Sequence, residues 1–153
     1  MPDTRRLKYT TTIAAPVPTV WRLMLAHESY RRWTAPFAEG SDFVGTWEEG
    51  SRIVFTGPSG DGMVAEIAVN REHEYISIRH LGVIQDGVED TTSDAVRAWA
   101  PAYENYRFTA VPEGTRLDVE LDVSDEWAAH MDAAWPKALA VLKALSEAES
   151  AAH

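Results

Sequence analysis

The sequence contains no cysteine. Disulfides, thiolate catalysis and cysteine-ligated zinc are therefore excluded as sources of stability or chemistry. Long apolar runs are missing too, and nothing approaches the roughly 20 residues needed to cross a bilayer as a helix. The opening Met1-Pro2-Asp3-Thr4-Arg5-Arg6 lacks the apolar core of a signal peptide. A cytoplasmic protein without a membrane span is expected. Basic residues are few and scattered, 14 Lys and Arg against 24 Asp and Glu, for a net charge of −10. Nucleic acid is bound by clustered cations, so no nucleic-acid partner is expected. His27, His73, His80, His130 and His153 form no His-x-x-x-His pair, and no Asp-rich calcium loop is present. A Gly-x-Ser-x-Gly elbow and a phosphate-cradling glycine loop before a helix are absent as well. No metal and no cofactor are expected.

What is present is aromatic and apolar. Apolar residues make up 45% of the 153 positions, charged residues 25%, and there are six Trp and five Tyr. A chain of this size buries roughly 70% of its unfolded surface, so one domain spanning residues 1–153 is expected.

The patterning predicts an α+β fold. Leu7 to Ile13 alternates with β-branched and aromatic residues, and Pro16 and Pro18 end that strand and open a helix over Thr19 to Ala26. A second short helix runs from Ser29, a candidate N-cap, through Trp33, with Pro36 closing it. Six strand-like runs follow: Asp42 to Trp47, Arg52 to Thr56, Met63 to Asn70, Tyr75 to Ile84, Ala102 to Val111 and Arg116 to Val123. The turns between them are rich in Gly, Pro and charged residues, as in an antiparallel meander. Leu117, Val119, Leu121 and Val123 share one face while Arg116, Asp118, Glu120 and Asp122 share the other, so one face is buried and one is wet. Between Gln85 and Pro101 an acidic stretch with a helical hint at Asp94 to Trp99 reads either as a lid over a pocket or as an ordinary surface loop. From Ser124 or Asp125, either of which suits an N-cap, the period becomes helical. Trp127, Met131, Trp135, Ala138, Leu142 and Leu145 form a stripe. Pro136 is expected to kink this helix or divide it near Asp132, leaving Lys137 to Ala148 as its firmest part.

The order strand, two short helices, six strands and long helix resembles the helix-grip fold of the START-related, Bet v I-like superfamily, also called SRPBCC. Several segments look like its branch related to the activator of heat-shock protein 90 ATPase. They are Ile13-Ala14-Ala15-Pro16 with Val20-Trp21, Trp33, the run Phe43 to Ile53, Glu104-Asn105-Tyr106 and the Trp135 to Leu145 helix. The resemblance implies a curved antiparallel sheet of about six or seven strands wrapped around the C-terminal helix, with two short helices after the first strand. It also implies a cavity between sheet and helix, used across the superfamily for lipids, sterols, polyketides, plant hormones and other hydrophobic ligands. It implies no catalytic signature and no specific ligand.

Within that frame, Ile76, Ile78, His80, Gly82 and Ile84 fall on one strand face, and Glu104, Tyr106, Phe108 and Ala110 on one face of the next strand. His80 and Glu104 are thus expected to point inward, within reach of each other. They form either a polar anchor in an apolar cavity or an ordinary pair satisfied by backbone or water. Trp33, Trp47, Phe55, Trp99, Tyr106, Phe108, Trp127, Met131 and Trp135 complete the candidate lining, whereas Trp21 reads as core. His130 faces either the cavity or solvent. The favoured partner is a small hydrophobic molecule that the chain binds without turnover. The alternatives are a cyclase, hydrolase or aromatase type of enzyme using His80 or Glu104 as acid or base, and an interaction module acting through its outer surface. Exposed strand edges would also permit a homodimer.

Overall fold

Leu117, Val119, Leu121 and Val123 set the inner face of the sheet's last strand, and all four are buried in the computed structural model, which describes residues 4–152. Met1-Pro2-Asp3 and His153 lie outside the described residues. The elements in order are β1 (Thr4–Ile13), α1 (Val17–Leu25), α2 (His27–Trp33), β2 (Asp42–Gly45), β3 (Arg52–Thr56), β4 (Gly62–Arg71), β5 (Tyr75–Gln85), β6 (Val88–Asp90), α3 (Asp94–Arg97), β7 (Ala102–Val111), β8 (Gly114–Ser124) and α4 (Asp125–Ala151). All strand pairs are antiparallel, in the order β1-β8-β7-β5-β4-β3-β2, with β6 paired to β5 off that path. The curved sheet holds α4 against β1, α1 and α2. No described helix is long and apolar enough to cross a membrane.

Closure of the first turn depends on backbone approach. At Gly114 the backbone has φ +139°, and a Cβ there would stand 2.4 Å from the Ile13 carbonyl oxygen and 2.7 Å from the Ala15 nitrogen. Only glycine fits both the dihedral and the space. The adjacent Thr115 donates to the Ala15 carbonyl at 2.7 Å, which ties the β8 start to the entry of α1. Pro16 then stands at the N-cap of α1 and Pro18 in its first turn, where a missing amide hydrogen costs nothing.

The expected caps and breaks are met in part. Ser29 is not an N-cap: Ala26 holds that position, and Ser29 lies inside α2, where its hydroxyl donates to the Leu23 carbonyl. Ser124 is the N-cap of α4, but by backbone conformation alone, without a side-chain cap bond. Pro136 does not divide α4, which runs unbroken from Asp125 to Ala151. Pro136 is exposed, so the Asp132 carbonyl that it deprives of a partner faces water. Burial of Trp135, Ala138, Leu139 and Leu142 holds the flanking turns in place.

The α4 stripe is also shorter than its sequence pattern. Trp135, Ala138 and Leu142 are buried and Met131 is half-buried, but Trp127 is 54% exposed. In the first turn and a half of α4, residues 125–130, Ala128 alone is buried.

Candidate functional site

β5 and β7 place the central polar pair. Ile78 is the register partner of Glu104 and His80 that of Ala102, so His80 and Glu104 are diagonal neighbours on the inner face. Nε2 of His80 lies 3.1 Å from Oε1 of Glu104, and the Tyr106 hydroxyl donates to Oε2 of the same carboxylate. A carboxylate only accepts, so this bond orients the imidazole with Nε2 as donor. Nδ1 of His80 is buried without a hydrogen-bond partner among the described residues, as is Nε1 of Trp135.

These groups sit where two pockets adjoin. The outer pocket, about 390 Å³, is lined by Trp99, Ala102, Val83 and Val123 and opens beside Glu126 and Trp127. The inner pocket, about 210 Å³, is walled by Tyr30, Trp33, Phe37, Phe55, Tyr106 and Trp135. Met63, His80, Glu104, Leu121 and Met131 line both. Ring contacts link the inner wall: Phe37 meets Trp135 edge-on at 4.9 Å, Tyr106 lies 6.0 Å from Trp135, and Phe55 lies 5.6 Å from His80.

Electrostatics follow from enclosure. Burial pushes the Tyr106 phenol well above its ordinary value, and the neighbouring Glu104 carboxylate pushes it further. Tyr30 is raised in the same way, first by burial, then by Glu104 and Asp42. Both phenols are thus held neutral. Asp42, which also lines the inner pocket, is raised by burial, but hydrogen bonds from His27, the Phe43 amide and Arg31 outweigh this and hold it below its ordinary range.

The insertion between β5 and β7 forms part of the rim. Its first residues fold back as β6 on β5, and α3 follows, its first turn capped by the Ser93 hydroxyl accepting from the Val96 amide at 3.2 Å. Val96 is buried and Trp99 is brought to the outer pocket. The register between β4 and β5 shifts at Leu81, because Val64 pairs with Gly82 while Ala65 pairs with His80. Beyond this bulge the faces exchange, so Val83 lines the pocket instead of Gly82. A Cβ on Gly82 would meet the Asp90 carbonyl oxygen at 2.1 Å, so the insertion packs against bare backbone there.

Of the residues singled out from sequence, Trp99 and Trp127 border the outer pocket. Trp33, Phe55, Tyr106 and Trp135 wall the inner one, and His80, Glu104 and Met131 serve both. Trp47 and Phe108 line neither. Trp47 donates to the Leu25 carbonyl at 3.1 Å and packs on Phe43 and Phe55. Phe108 is buried against Trp21, whose ring centroid is 5.1 Å away, under α1. Tyr30, Phe37, Met63, Val83 and Leu121 were not singled out. Tyr30 had a signal, lying one helical turn before Trp33 on the same side of α2. Met63 had none short of the strand register that sets it between Phe55 and Val83. Among the described residues no group of three or more His, Asp or Glu side chains is arranged to hold a metal ion.

No protein-family model matches the chain, and no curated protein matches it in sequence. Solved structures do match it in shape. Protein MLL2253 from Mesorhizobium loti superposes with a TM-score of 0.69 at 15% identity, covering 92% of this chain and 96% of that one. An AHSA1-like protein from Aeromonas hydrophila matches with a TM-score of 0.66 at 15% identity, over 95% of this chain and 94% of its own. DynU16, a protein of the dynemicin biosynthetic locus, matches with a TM-score of 0.68 at 17% identity, covering 97% of this chain and 49% of DynU16.

Proposed function

We propose that this chain, which carries the START-related, Bet v I-like helix-grip fold, binds a small, largely apolar molecule in the two adjoining pockets between its sheet and α4. The observation that carries the reading is the shared junction: His80 and Glu104 line both pockets, while most of the remaining wall is aromatic or aliphatic. Apolar walls supply affinity through burial, and a few polar groups at fixed positions orient the occupant. Glu104 supports this role because its two oxygens are already bonded by His80 and Tyr106, which fixes the carboxylate in place. The origin of DynU16 in a biosynthetic locus suits a pocket for organic molecules.

A second reading, acid or base catalysis, draws on the same pair. His80 lines both pockets and is paired with a carboxylate, a combination that acid or base catalysis can use. The two readings separate on turnover, since removal of a catalytic base costs on the order of 100-fold or more in rate.

Native mass spectrometry of protein purified gently from its host, followed by denaturing extraction, tests the binding reading. A reproducible small organic adduct, diminished in a Met131→Trp variant whose larger side chain intrudes where the pockets meet, is expected. An adduct undiminished in that variant would place the ligand elsewhere.

A further inference from the structure

The charge of the pocket walls limits what can enter. Among the described residues, none of the side chains lining either pocket is Lys or Arg. The acids among them fall into two groups. Asp42 is held by Arg31 at 2.8 Å and Asp122 by Arg6 at 2.9 Å, so each has a permanent cation beside it. Glu104 and Glu126 have none among the described residues. Glu104 has His80 as its ionisable neighbour, and Glu126 stands at the mouth beside Trp127. The inner pocket beyond Glu104 is bounded by six aromatic rings, those of Tyr30, Trp33, Phe37, Phe55, Tyr106 and Trp135.

Resting on the pocket reading, we infer that the occupant is a lipophilic cation, an ammonium group carried on an aromatic or aliphatic skeleton. Three physical arguments converge on this class. A half-enclosed carboxylate with no permanent countercharge is stabilised by an ammonium group that enters with the ligand. Aromatic rings attract cations through their quadrupoles, and more strongly where water is displaced. A ligand carboxylate or phosphate would instead be brought toward Glu104 with no basic side chain of the described wall to receive it, in a chain whose net charge is already −10. Fatty acids and other organic acids are thereby disfavoured, although their apolar parts would fit.

Three probes sharing one skeleton test the inference by isothermal titration calorimetry at neutral pH: 1-naphthylmethylamine, 1-naphthylmethanol and 1-naphthoic acid. The amine is expected to bind about tenfold tighter than the alcohol, as expected for a desolvated cation beside a carboxylate and aromatic rings, and the acid to bind weakest. In Glu104→Gln the amine is expected to fall to the level of the alcohol while the alcohol itself is little changed. If the alcohol or the acid binds as tightly as the amine to the unaltered protein, the charge inference is wrong and the pocket reading stands. Binding of none of the three overturns both. The comparison on the unaltered protein decides the matter even if the variant does not fold. An amine preference that survives in folded Glu104→Gln overturns the role given to that carboxylate.

Discussion

Nε2 of His80 and Oε1 of Glu104 lie 3.1 Å apart across the β5 and β7 strands, at the point where the outer and inner pockets meet. Glu104 also takes the Tyr106 hydroxyl, so one carboxylate satisfies two half-buried or buried donors. Removing it therefore leaves both without a partner. Glu104→Ala is expected to lower stability by about 1–3 kcal/mol, and Glu104→Gln, which keeps an acceptor oxygen, by less. Urea unfolding followed by tryptophan fluorescence measures both, and equal losses would show that the hydrogen bonds contribute little.

The two enclosed phenols give a pH dependence with a defined sign. Tyr30 and Tyr106 have folded-state values raised well above their ordinary value of 10, first by burial and then by Glu104. Protons stay on longer in the folded chain than in the unfolded one. The stability they contribute is therefore fully present below pH 10 and is lost as pH rises through the folded values. Ultraviolet titration should show these two phenols ionising only as the protein unfolds. Ionisation of all five tyrosines near their ordinary value, with the fold intact, would contradict their enclosure.

Glu147 supplies the opposite sign at the other end of the molecule. It accepts the Ala14 amide at 2.9 Å and bonds Lys143, and these hold its carboxylate below the ordinary 4.5. Its contribution is present above that value and lost as pH falls through the lower folded value. Glu147→Gln is expected to flatten the acid limb of the stability curve, read as the midpoint urea concentration between pH 5 and about 3.

Gly82 makes the pocket rim depend on a missing side chain. Because a Cβ would stand 2.1 Å from the Asp90 carbonyl oxygen, Gly82→Ala is expected to displace β6 and the segment that carries Trp99. Faster limited proteolysis within residues 86–101 is the expected outcome, with the far-UV spectrum little changed. Unaltered protection of that segment would mean that the insertion relaxes without leaving the sheet.

Pro136 costs α4 one backbone hydrogen bond. In a helix interior proline is unfavourable by about 3 kcal/mol relative to alanine. Pro136→Ala is accordingly expected to stabilise the chain by about 1 kcal/mol or more. Urea denaturation measures this, and an unchanged or lower midpoint would contradict it.

The architecture was legible where period and burial coincide. The alternation of Leu117, Val119, Leu121 and Val123 marks the inner face of β8, and the inward placing of Ile76, Ile78 and His80 agrees with the burial of all three. The same reasoning placed Gly82 and Ile84 on that face and failed at Leu81, because a bulge adds a residue without any mark in the hydrophobic pattern. Trp127 kept the helical period of Met131 and Trp135 yet is largely exposed, since period reports which residues share a side and not whether that side meets a core. Trp47 and Phe108 illustrate the same limit in the other direction. Large aromatics announce burial, but whether they border a hollow or fill one depends on the elements opposite, here α1 and α2, whose packing is not written in the residues around Trp47 or Phe108.

The central claim, that these pockets hold an apolar small molecule, is tested most directly by titrating the protein with the neutral dye N-phenyl-1-naphthylamine and following its fluorescence. The account predicts saturable one-to-one binding that Met131→Trp abolishes, because Met131 lines both pockets. Saturable binding that Met131→Trp leaves unchanged, or no saturable binding by the unaltered protein, would contradict it.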